Sequence, residues 1–138
     1  MPTDDYAYRH RIVVRFRDCD AMGHVNHAVY FTYFEQCRLT FWRDVTGTAS
    51  PHTRVIIARA ECDYRAPAHF GDEVEIRLKV GEIGRSSFAL LYEIVDARGG
   101  HAIATGKTVM VSYDYAAGAP IPLPDATRAL LAHLRGGV

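Results

Sequence analysis

The chain has 138 residues, of which 49% are hydrophobic, and its 16 basic and 16 acidic residues give it zero formal charge. This length and composition predict one domain over residues 1–138 whose core needs neither disulfides nor a structural metal, while the lack of a basic stripe disfavours nucleic-acid and anionic-membrane partners. Three widely spaced cysteines, with no signal-peptide or long apolar segment, predict a reduced, cytoplasmic setting.

The first predicted element is a strand over residues 9–17, because apolar and charged residues alternate there with the period of a half-buried strand. It runs into the segment D-C-D-A-M-G-H-V-N at residues 18–26, and an aromatic helix follows at once. The carboxylate of Asp20 therefore lies shortly before a helix N-terminus, where free backbone N–H groups and the helix dipole can stabilise a developing negative charge. A carboxylate beside such donors indicates acyl-group chemistry.

The helix is predicted to begin at His27, because Asn26 is a favourable N-cap and Val25 and Tyr30 occupy the positions of a hydrophobic staple. Gly47 is a natural residue to end it, after roughly five turns. Apolar or aromatic residues lie on nearly every side of its first half, which predicts a helix enclosed by other structure.

Four further strands are predicted over residues 54–64, 73–80, 87–96 and 101–113. In the first of them Val55 and Ile57 share one face, and the opposite face carries Ile56, Ala58, Ala60 and Cys62. Short turns between consecutive strands imply antiparallel pairing, and a long helix after only the first strand cannot build a βαβ series. The prediction is an α+β fold in which a five-stranded antiparallel sheet wraps around one long central helix.

The tail from about residue 116 is predicted to be extended and then to form a short helix. Asp125 is the expected cap of this helix, and its apolar face is expected to carry Ala126, Leu130 and Leu134. This tail is interpreted as packing against the rest of the chain, with no chemical role.

The order of strand, D-C-D-x-x-G-H-V-N, aromatic helix with F-E-x-x-R and four antiparallel strands resembles the 4-hydroxybenzoyl-CoA thioesterase branch of the hotdog-fold family, over nearly the whole chain. The resemblance implies a single hotdog fold and cofactor-free hydrolysis of acyl-CoA or acyl-carrier-protein thioesters. It also implies a homodimer or homotetramer with active sites at the subunit interface. H-V-N-H at residues 24–27 departs from the aromatic-acyl relatives and favours a fatty acyl-CoA substrate.

The chemistry of thioester hydrolysis agrees with this resemblance. A thiolate leaves easily, because a thiol has a pKa of about 8.5, so one carboxylate and one oxyanion donor can suffice. Asp20 matches the second aspartate of the family motif and would be the nucleophile or the general base, a choice that the resemblance leaves open. The backbone N–H of His27 would polarise the carbonyl, and His24 and Asn26 match the H-V-N element that would position Asp20, the water or the turn.

Glu35 is the rival base, since another branch of hotdog thioesterases uses a helix glutamate in about that place. The alternative is an ion pair between Glu35 and Arg38 at i,i+3 on one helix face. Asp18 is expected to be a structural partner at the strand end, and Cys19 to be a small buried hydrophobe.

Arg85 lies in G-R-S-S-F and matches a turn that in relatives lies near the CoA phosphates, with Ser86 and Ser87 beside it, although a simple turn arginine is an equal alternative. Arg59 and Arg65 are expected to be solvated charges on an edge strand. The acyl pocket is expected to draw on residues that could equally be plain core, namely Tyr30, Tyr33, Phe34, Val55 and Ile57.

Two other classes of function stay open. A metalloprotein could be built from Asp18, Asp20, His24 and His27, but the turn scatters these groups and no recognised metal motif supports it, so no metal is expected. A non-catalytic acyl-binding hotdog protein is the second class, and an acyl-carrier-protein thioesterase of lipid or polyketide metabolism is the alternative within the enzyme class.

Overall fold

The protein is described from a computed structural model that covers residues 6–47 and 54–135. In chain order its elements are strand β1 (Tyr8–Val13), helix α1 (Val29–Thr46), strands β2 (Val55–Tyr64), β3 (Glu73–Ile83), β4 (Ser87–Asp96), β5 (Ala102–Asp114) and β6 (Ala119–Pro120), and helix α2 (Asp125–Leu134). A single turn of 3₁₀ helix at Phe16–Asp18 separates β1 from the segment that leads into α1.

The strands form one antiparallel sheet in the order β1-β3-β4-β5-β2, and β6 adds two residues to β5. Tight connections between β3, β4 and β5 make them neighbours, whereas the long connection through α1 leaves β1 and β2 at opposite edges. The predicted α+β fold with five main antiparallel strands and one long helix is confirmed.

Helix α1 packs one face on the sheet. Its buried residues recur at the three- and four-residue spacing of a single helix face; they are Tyr30, Tyr33, Phe34, Cys37, Arg38, Phe41 and Trp42. The Phe34 ring stacks on Tyr92 of β4 with ring centroids 4.5 Å apart. The prediction that structure encloses the helix on nearly every side is wrong for the single chain, because Glu35 and Leu39 are exposed on its other side.

Strand β2 contains an irregularity that the alternation of its sequence does not reveal. Ile57 pairs with Met110 and Arg59 with Val109, so Ala58 is an extra residue without a partner on β5. Beyond the bulge, Ala60 pairs with Thr108 and therefore lies on the same face of the sheet as Ile57. The predicted assignment of these two alanines and Cys62 to the face opposite Val55 and Ile57 is thus wrong from Ala60 onward.

Two predicted boundaries also change, and a third is confirmed. Strand β1 ends at Val13, because the backbone then enters the 3₁₀ turn, and the side chain of Phe16 is 78% exposed instead of lying in a strand. Helix α1 begins at Val29, two residues after the predicted start, whereas its predicted end at Gly47 is confirmed by a left-handed residue with φ of 80°.

The tail is fixed to the turn between β3 and β4. The Leu123 N–H donates to the Arg85 carbonyl at 2.9 Å, and the Arg128 guanidinium donates to the carbonyls of Gly84 and Arg85. Asp125 is the first residue of α2 and not its cap, and the buried residues of α2 are Thr127 and Leu131. The predicted apolar face is wrong at Ala126, which is exposed, whereas Leu130 and Leu134 are half-buried and pack against the core as predicted.

Candidate active site

A tight turn presents Asp20 to solvent in front of α1. The Asp20 N–H donates to the His24 carbonyl at 2.9 Å, and the Gly23 N–H donates back to the Asp20 carbonyl at 3.0 Å. Gly23 has φ of 84°, a left-handed conformation that strains any residue with a Cβ atom, which explains the glycine at this point of the motif. The Asp20 Oδ1 accepts from the Met22 N–H, and within residues 6–47 and 54–135 its Oδ2 has no hydrogen-bond partner.

Asp18 has a different environment two residues earlier. Its carboxylate is 2% exposed and accepts from the Arg15 N–H, the Arg15 guanidinium and the Tyr33 hydroxyl, the last at 2.7 Å. Burial alone would raise the pKa of Asp18, but these hydrogen bonds outweigh it and hold the pKa below its usual value. The Arg15 bonds close the 3₁₀ turn after β1 and the Tyr33 bond ties that turn to α1, so Asp18 is a structural partner, as the sequence predicted.

Asn26 organises the entrance of α1. Its side-chain oxygen accepts from the Ala28 N–H at 3.0 Å, and its carbonyl accepts from the Val29 N–H at 2.9 Å. Together these bonds form a turn before the first regular helical residue. The intervening His27 N–H donates to no acceptor in the described part of the chain, so it remains available at the positive end of the helix.

The turn at His27 is fastened to the sheet by Tyr64, the last residue of β2. The Tyr64 hydroxyl donates to the His27 carbonyl at 2.8 Å, and the Tyr64 ring meets Tyr30 edge to face at 5.2 Å. Next to this contact lies a cavity of about 310 Å³, which we call the proximal cavity. It is lined by His24, Val25, His27, Tyr30, Tyr64, Arg65, Ala66 and Pro67.

His24 lies beside the proximal cavity and forms an isolated antiparallel bridge with His69. The two imidazole rings meet edge to face with centroids 5.1 Å apart, and His69 in turn lies 3.6 Å from the Asp72 carboxylate. Within residues 6–47 and 54–135 no three His, Cys, Asp or Glu side chains come together in a way that could hold a metal ion. Because its carbonyl accepts from the Asp20 N–H, His24 supports the turn that carries Asp20.

Glu35 lies two turns into α1 and away from the Asp20 turn. Its carboxylate is 3.9 Å from the Arg38 guanidinium, which is the i,i+3 pair that the sequence offered as the alternative to a catalytic base. Glu35 and Arg38 line a cavity of about 200 Å³ together with Phe31, Thr32, Ile57, Ala60 and Thr108. A further cavity of about 470 Å³ follows toward the end of α1 and includes Val55 and Ile57 in its lining.

The predicted acyl-pocket residues are divided by the structure. Tyr30, Val55 and Ile57 line cavities between α1 and β2. Tyr33 and Phe34 instead lie in the core, and the bond to Asp18 together with burial raises the pKa of the Tyr33 hydroxyl far above its usual range. Their contact with substrate stays a prediction.

The turn with Arg85, Ser86 and Ser87 joins β3 to β4 at one end of the sheet. Ser87 pairs with Val111, which pairs in turn with Ile56, so this turn lies beside the first residues of β2. Tyr64 and the His27 turn lie at the other end of β2, about 26 Å away along the strand. The Arg85 side chain is exposed, while its carbonyl is held by the tail.

Sequence reasoning missed three residues of this region. Tyr64 reaches the His27 carbonyl only because of the bulge in β2, which no local pattern signals. Arg38 was considered only as the partner of Glu35, although it is 6% exposed and lies between two cavities. Trp42, the one tryptophan of the chain, was not considered at all.

Comparisons with known proteins agree on one family. Residues 14–131 match the model of the Thioesterase-like superfamily. A thioesterase from Thermus thermophilus, solved in complex with coenzyme A and Zn, superposes with a TM-score of 0.84 at 33% identity over 96% of this chain and 98% of that one. The fold is therefore the hotdog fold that the sequence predicted.

Two curated relatives point the same way. A putative esterase of Aquifex aeolicus is 32% identical over 77% of this chain and 84% of its own length. A 1,4-dihydroxy-2-naphthoyl-CoA hydrolase of Synechococcus elongatus is 28% identical over 86% of this chain and 90% of its own length. In addition, none of the helices formed by the described residues is both long and apolar enough to cross a membrane.

Proposed function

Since the chain belongs to the thioesterase-like superfamily, we propose that it hydrolyses the thioester bond of acyl-CoA substrates to a free acid and CoA. The observation that carries this proposal is the pairing of an exposed carboxylate, Asp20, with the unpaired His27 N–H at the head of α1. The coenzyme A bound to the Thermus thermophilus thioesterase and the CoA thioester cleaved by the Synechococcus hydrolase support CoA as the acyl carrier.

In this mechanism the His27 N–H donates a hydrogen bond to the thioester oxygen as negative charge develops on it. The positive end of α1 adds to that stabilisation, and the donor needs no reorganisation because Asn26 and Tyr64 hold the turn on both sides. The Tyr64 bond to the His27 carbonyl restricts the adjoining peptide. A donor fixed before the reaction is worth more than a mobile one.

Asp20 supplies the second requirement. Acting as a general base, its free Oδ2 takes a proton from water while the water oxygen attacks the carbonyl carbon; acting as a nucleophile, the carboxylate itself attacks and water later hydrolyses the anhydride. In both cases the C–S bond breaks and its electron pair leaves on the CoA thiolate. Hydrolysis in ¹⁸O-labelled water under single turnover separates the two, because only the nucleophilic route puts unlabelled Asp20 oxygen into the first product.

We propose further that a homodimer or homotetramer forms the complete site. Arg85 lies at the opposite end of β2 from the His27 turn of the same chain, so an Arg85 contact to the CoA phosphates is best supplied by a second copy. Exposed charge and two adjacent serines suit that turn to phosphate binding. Mixing Asp20→Asn and Arg85→Ala chains then regenerates one intact site per mixed dimer, or about a quarter of wild-type sites at equal mixing.

The central experiment measures thiol release from a panel of aliphatic and aromatic acyl-CoAs. Asp20→Asn is expected to lower kcat at least about a hundredfold, since removal of a general base typically costs that much. The matched control is Asp125→Asn, an exposed carboxylate in the first turn of the other helix, and it is expected to retain wild-type turnover. Glu35→Gln is run beside both as the test of the rival base.

The outcomes separate the alternatives. Full activity of Asp20→Asn with loss in Glu35→Gln would move the catalytic base to Glu35. Absence of turnover by the wild type with every acyl-CoA, together with turnover of acyl-carrier-protein thioesters, would replace CoA as carrier. Binding of acyl-CoA without turnover of either carrier would leave a non-catalytic acyl-binding protein.

A further inference from the structure

The cavity of about 470 Å³ under the C-terminal half of α1, which we call the distal cavity, has walls of mixed character. Aliphatic and aromatic side chains cover most of it, and hydrogen-bond donors occupy its inner wall. Its lining consists of Glu35, Arg38, Leu39, Trp42, Arg54, Val55, Ile57, Met110 and Tyr115. This combination is typical of a binding pocket, in which apolar walls enclose a ligand and a few polar groups select it.

The first polar group is the indole N–H of Trp42. The residue is 1% exposed, and its Nε1 has no hydrogen-bond partner in the described part of the chain. Buried indole N–H groups usually find an acceptor, because an unmet donor loses its hydration without compensation. Trp42 lines the distal cavity while its Nε1 is closed off from solvent, so a ligand with an acceptor oxygen would have to reach this donor at the wall of the cavity.

The second polar group is the guanidinium of Arg38. Its Nη1 donates to the Tyr92 hydroxyl at 3.2 Å, and Tyr92 is in turn bonded to Thr108. Its other charged contact is Glu35, 3.9 Å away and beyond hydrogen-bond distance, with a side chain 59% exposed to solvent. Nη2 and Nε therefore keep donors that no described residue accepts, and unlike the Trp42 Nε1 they are not closed off from solvent.

The charges around the distal cavity do not balance. Arg38 and Arg54 contribute two positive charges to its lining and Glu35 one negative charge. Arg54 also lies over the Tyr115 ring at 5.3 Å, which keeps its guanidinium at the rim. One further negative charge would neutralise the cavity, and a carboxylate matches the planar guanidinium fork and can accept from an indole N–H as well.

We propose that the distal cavity binds a carboxylate at the far end of the acyl group, so that the enzyme favours thioesters of dicarboxylic acids over those of plain fatty acids. This inference rests on the proposed function. The proximal cavity, the cavity of about 200 Å³ and the distal cavity follow one another along the groove between α1 and β2, from His27 to Trp42. The last two of these share Glu35, Arg38 and Ile57 in their lining. The helix spans about 20 Å between these ends, so an extended acyl group fits the groove lengthwise.

The first test is independent of hydrolysis. Trp42 is the single tryptophan, so its fluorescence reports occupancy of the distal cavity directly. The wild-type protein is titrated with octanedioate and with its dimethyl ester, which has the same carbon chain and no free carboxylate. Octanedioate is expected to change the emission at concentrations at least about tenfold lower, the effect of one charge-assisted hydrogen-bond pair. Equal responses to octanedioate and its dimethyl ester, or none to octanedioate, would overturn the inference.

The second test uses turnover. The ratio of kcat/KM for hexadecanedioyl-CoA, whose extended chain matches the length of the groove and ends in a free carboxylate, to kcat/KM for hexadecanoyl-CoA is expected to be at least about ten in the wild type. Arg38→Met is expected to bring the ratio to about one, while Arg43→Met, which removes an exposed arginine of the same helix, is expected to keep it. Trp42→Phe keeps an aromatic ring without the N–H and is expected to lower the ratio about fivefold.

The two tests separate this inference from the proposed function. A fluorescence preference for octanedioate without turnover of any thioester would support the distal cavity and contradict the hydrolase. Turnover with no preference in either test would support the hydrolase and contradict the distal cavity. If Arg38→Met does not fold, the wild-type titrations and the Trp42→Phe ratio still decide, and an unchanged ratio in Trp42→Phe would exclude its N–H from the site.

Discussion

Gly106 in β5 is the position where the smallest side chain is expected to disturb the fold most. A Cβ atom built there would lie 2.4 Å from two ring atoms of Phe34 and 3.0 Å from the Glu61 carbonyl oxygen, far inside the usual contact distance of about 3.5–4.0 Å. Phe34 is fully buried and stacked on Tyr92, so its ring cannot retreat. The backbone of Gly106 has no positive φ, so the substitution Gly106→Ala tests packing alone.

The magnitude follows from two opposing effects. Overpacking of a filled core costs about 1–3 kcal/mol, here at the upper end because the ring is pinned, and replacement of glycine recovers about 0.4–1 kcal/mol through the unfolded chain. We expect Gly106→Ala to lower the free energy of unfolding by about 2 kcal/mol. For a chain of this size that corresponds to a fall in Tm of roughly 5–8 °C.

Thermal unfolding by circular dichroism measures this change. Gly81→Ala is the matched control, because its Cβ would meet Ala89 at a milder 3.2 Å within a strand, and its Tm is expected to shift much less. The double variant Gly106→Ala with Phe34→Leu should lose less stability than the sum of the single losses, since the smaller side chain relieves the clash. Additive losses, or an unchanged Tm in Gly106→Ala, would refute the packing of α1 on β5 described above.

Three further predictions concern the site and its support. Tyr64→Phe removes the bond to the His27 carbonyl together with the hydroxyl's side-chain contact to Cys62, and is expected to lower kcat about fivefold with KM unchanged, whereas a change confined to KM would contradict a positioning role. Asp18→Asn is expected to cost about 1.5–3 kcal/mol at neutral pH, as urea unfolding would measure. The folded pKa of Asp18 lies below the unfolded value of about 3.9. The loss of stability in Asp18→Asn should therefore persist above about pH 4 and shrink as the pH falls through the folded pKa of Asp18. A loss of stability that does not change with pH would argue against a stabilising role of the Asp18 charge. Burial raises the pKa of Cys37 to about 12, so a thiol reagent at pH 8 should modify Cys37 only after unfolding, and rapid modification of the native protein would contradict its burial.

Much of the fold could be predicted from local patterns because most strands are regular. The predicted bounds of β4 coincide with the observed Ser87–Asp96, where apolar residues alternate without interruption. β1 was overextended because Phe16 continues the alternation in sequence while the backbone has already entered a 3₁₀ turn. A period of two reports which residues could share a face, but it does not report where the backbone leaves the strand.

The site shows the same division between local and tertiary information. The motif predicted a structural role for Asp18 and a catalytic role for Asp20. The structure gives Asp18 its expected structural partners, Arg15 and Tyr33, whereas the role of Asp20 stays a prediction. The start of α1 was misplaced by two residues because Asn26 caps a turn before the helix and not the helix itself. Trp42 could not be identified, since an unpaired indole N–H is a property of the packed core and not of the helical spacing that placed the residue there.

The bulge at Ala58 is the feature that joins these parts. Without it, the alternation of β2 would put Ala60 and Tyr64 on the face opposite Ile57, and the Tyr64 hydroxyl would point away from the His27 carbonyl. With it, the residues before and after the bulge face α1 together, so one strand borders the distal cavity at its start and fastens the His27 turn at its end. Bulges are common next to active sites because they redirect side chains in this way. Deleting Ala58 would remove the extra residue and leave both halves of β2 in their present register with β5, so Tyr64 is expected to stay on the face of Ile57 and beside the His27 carbonyl.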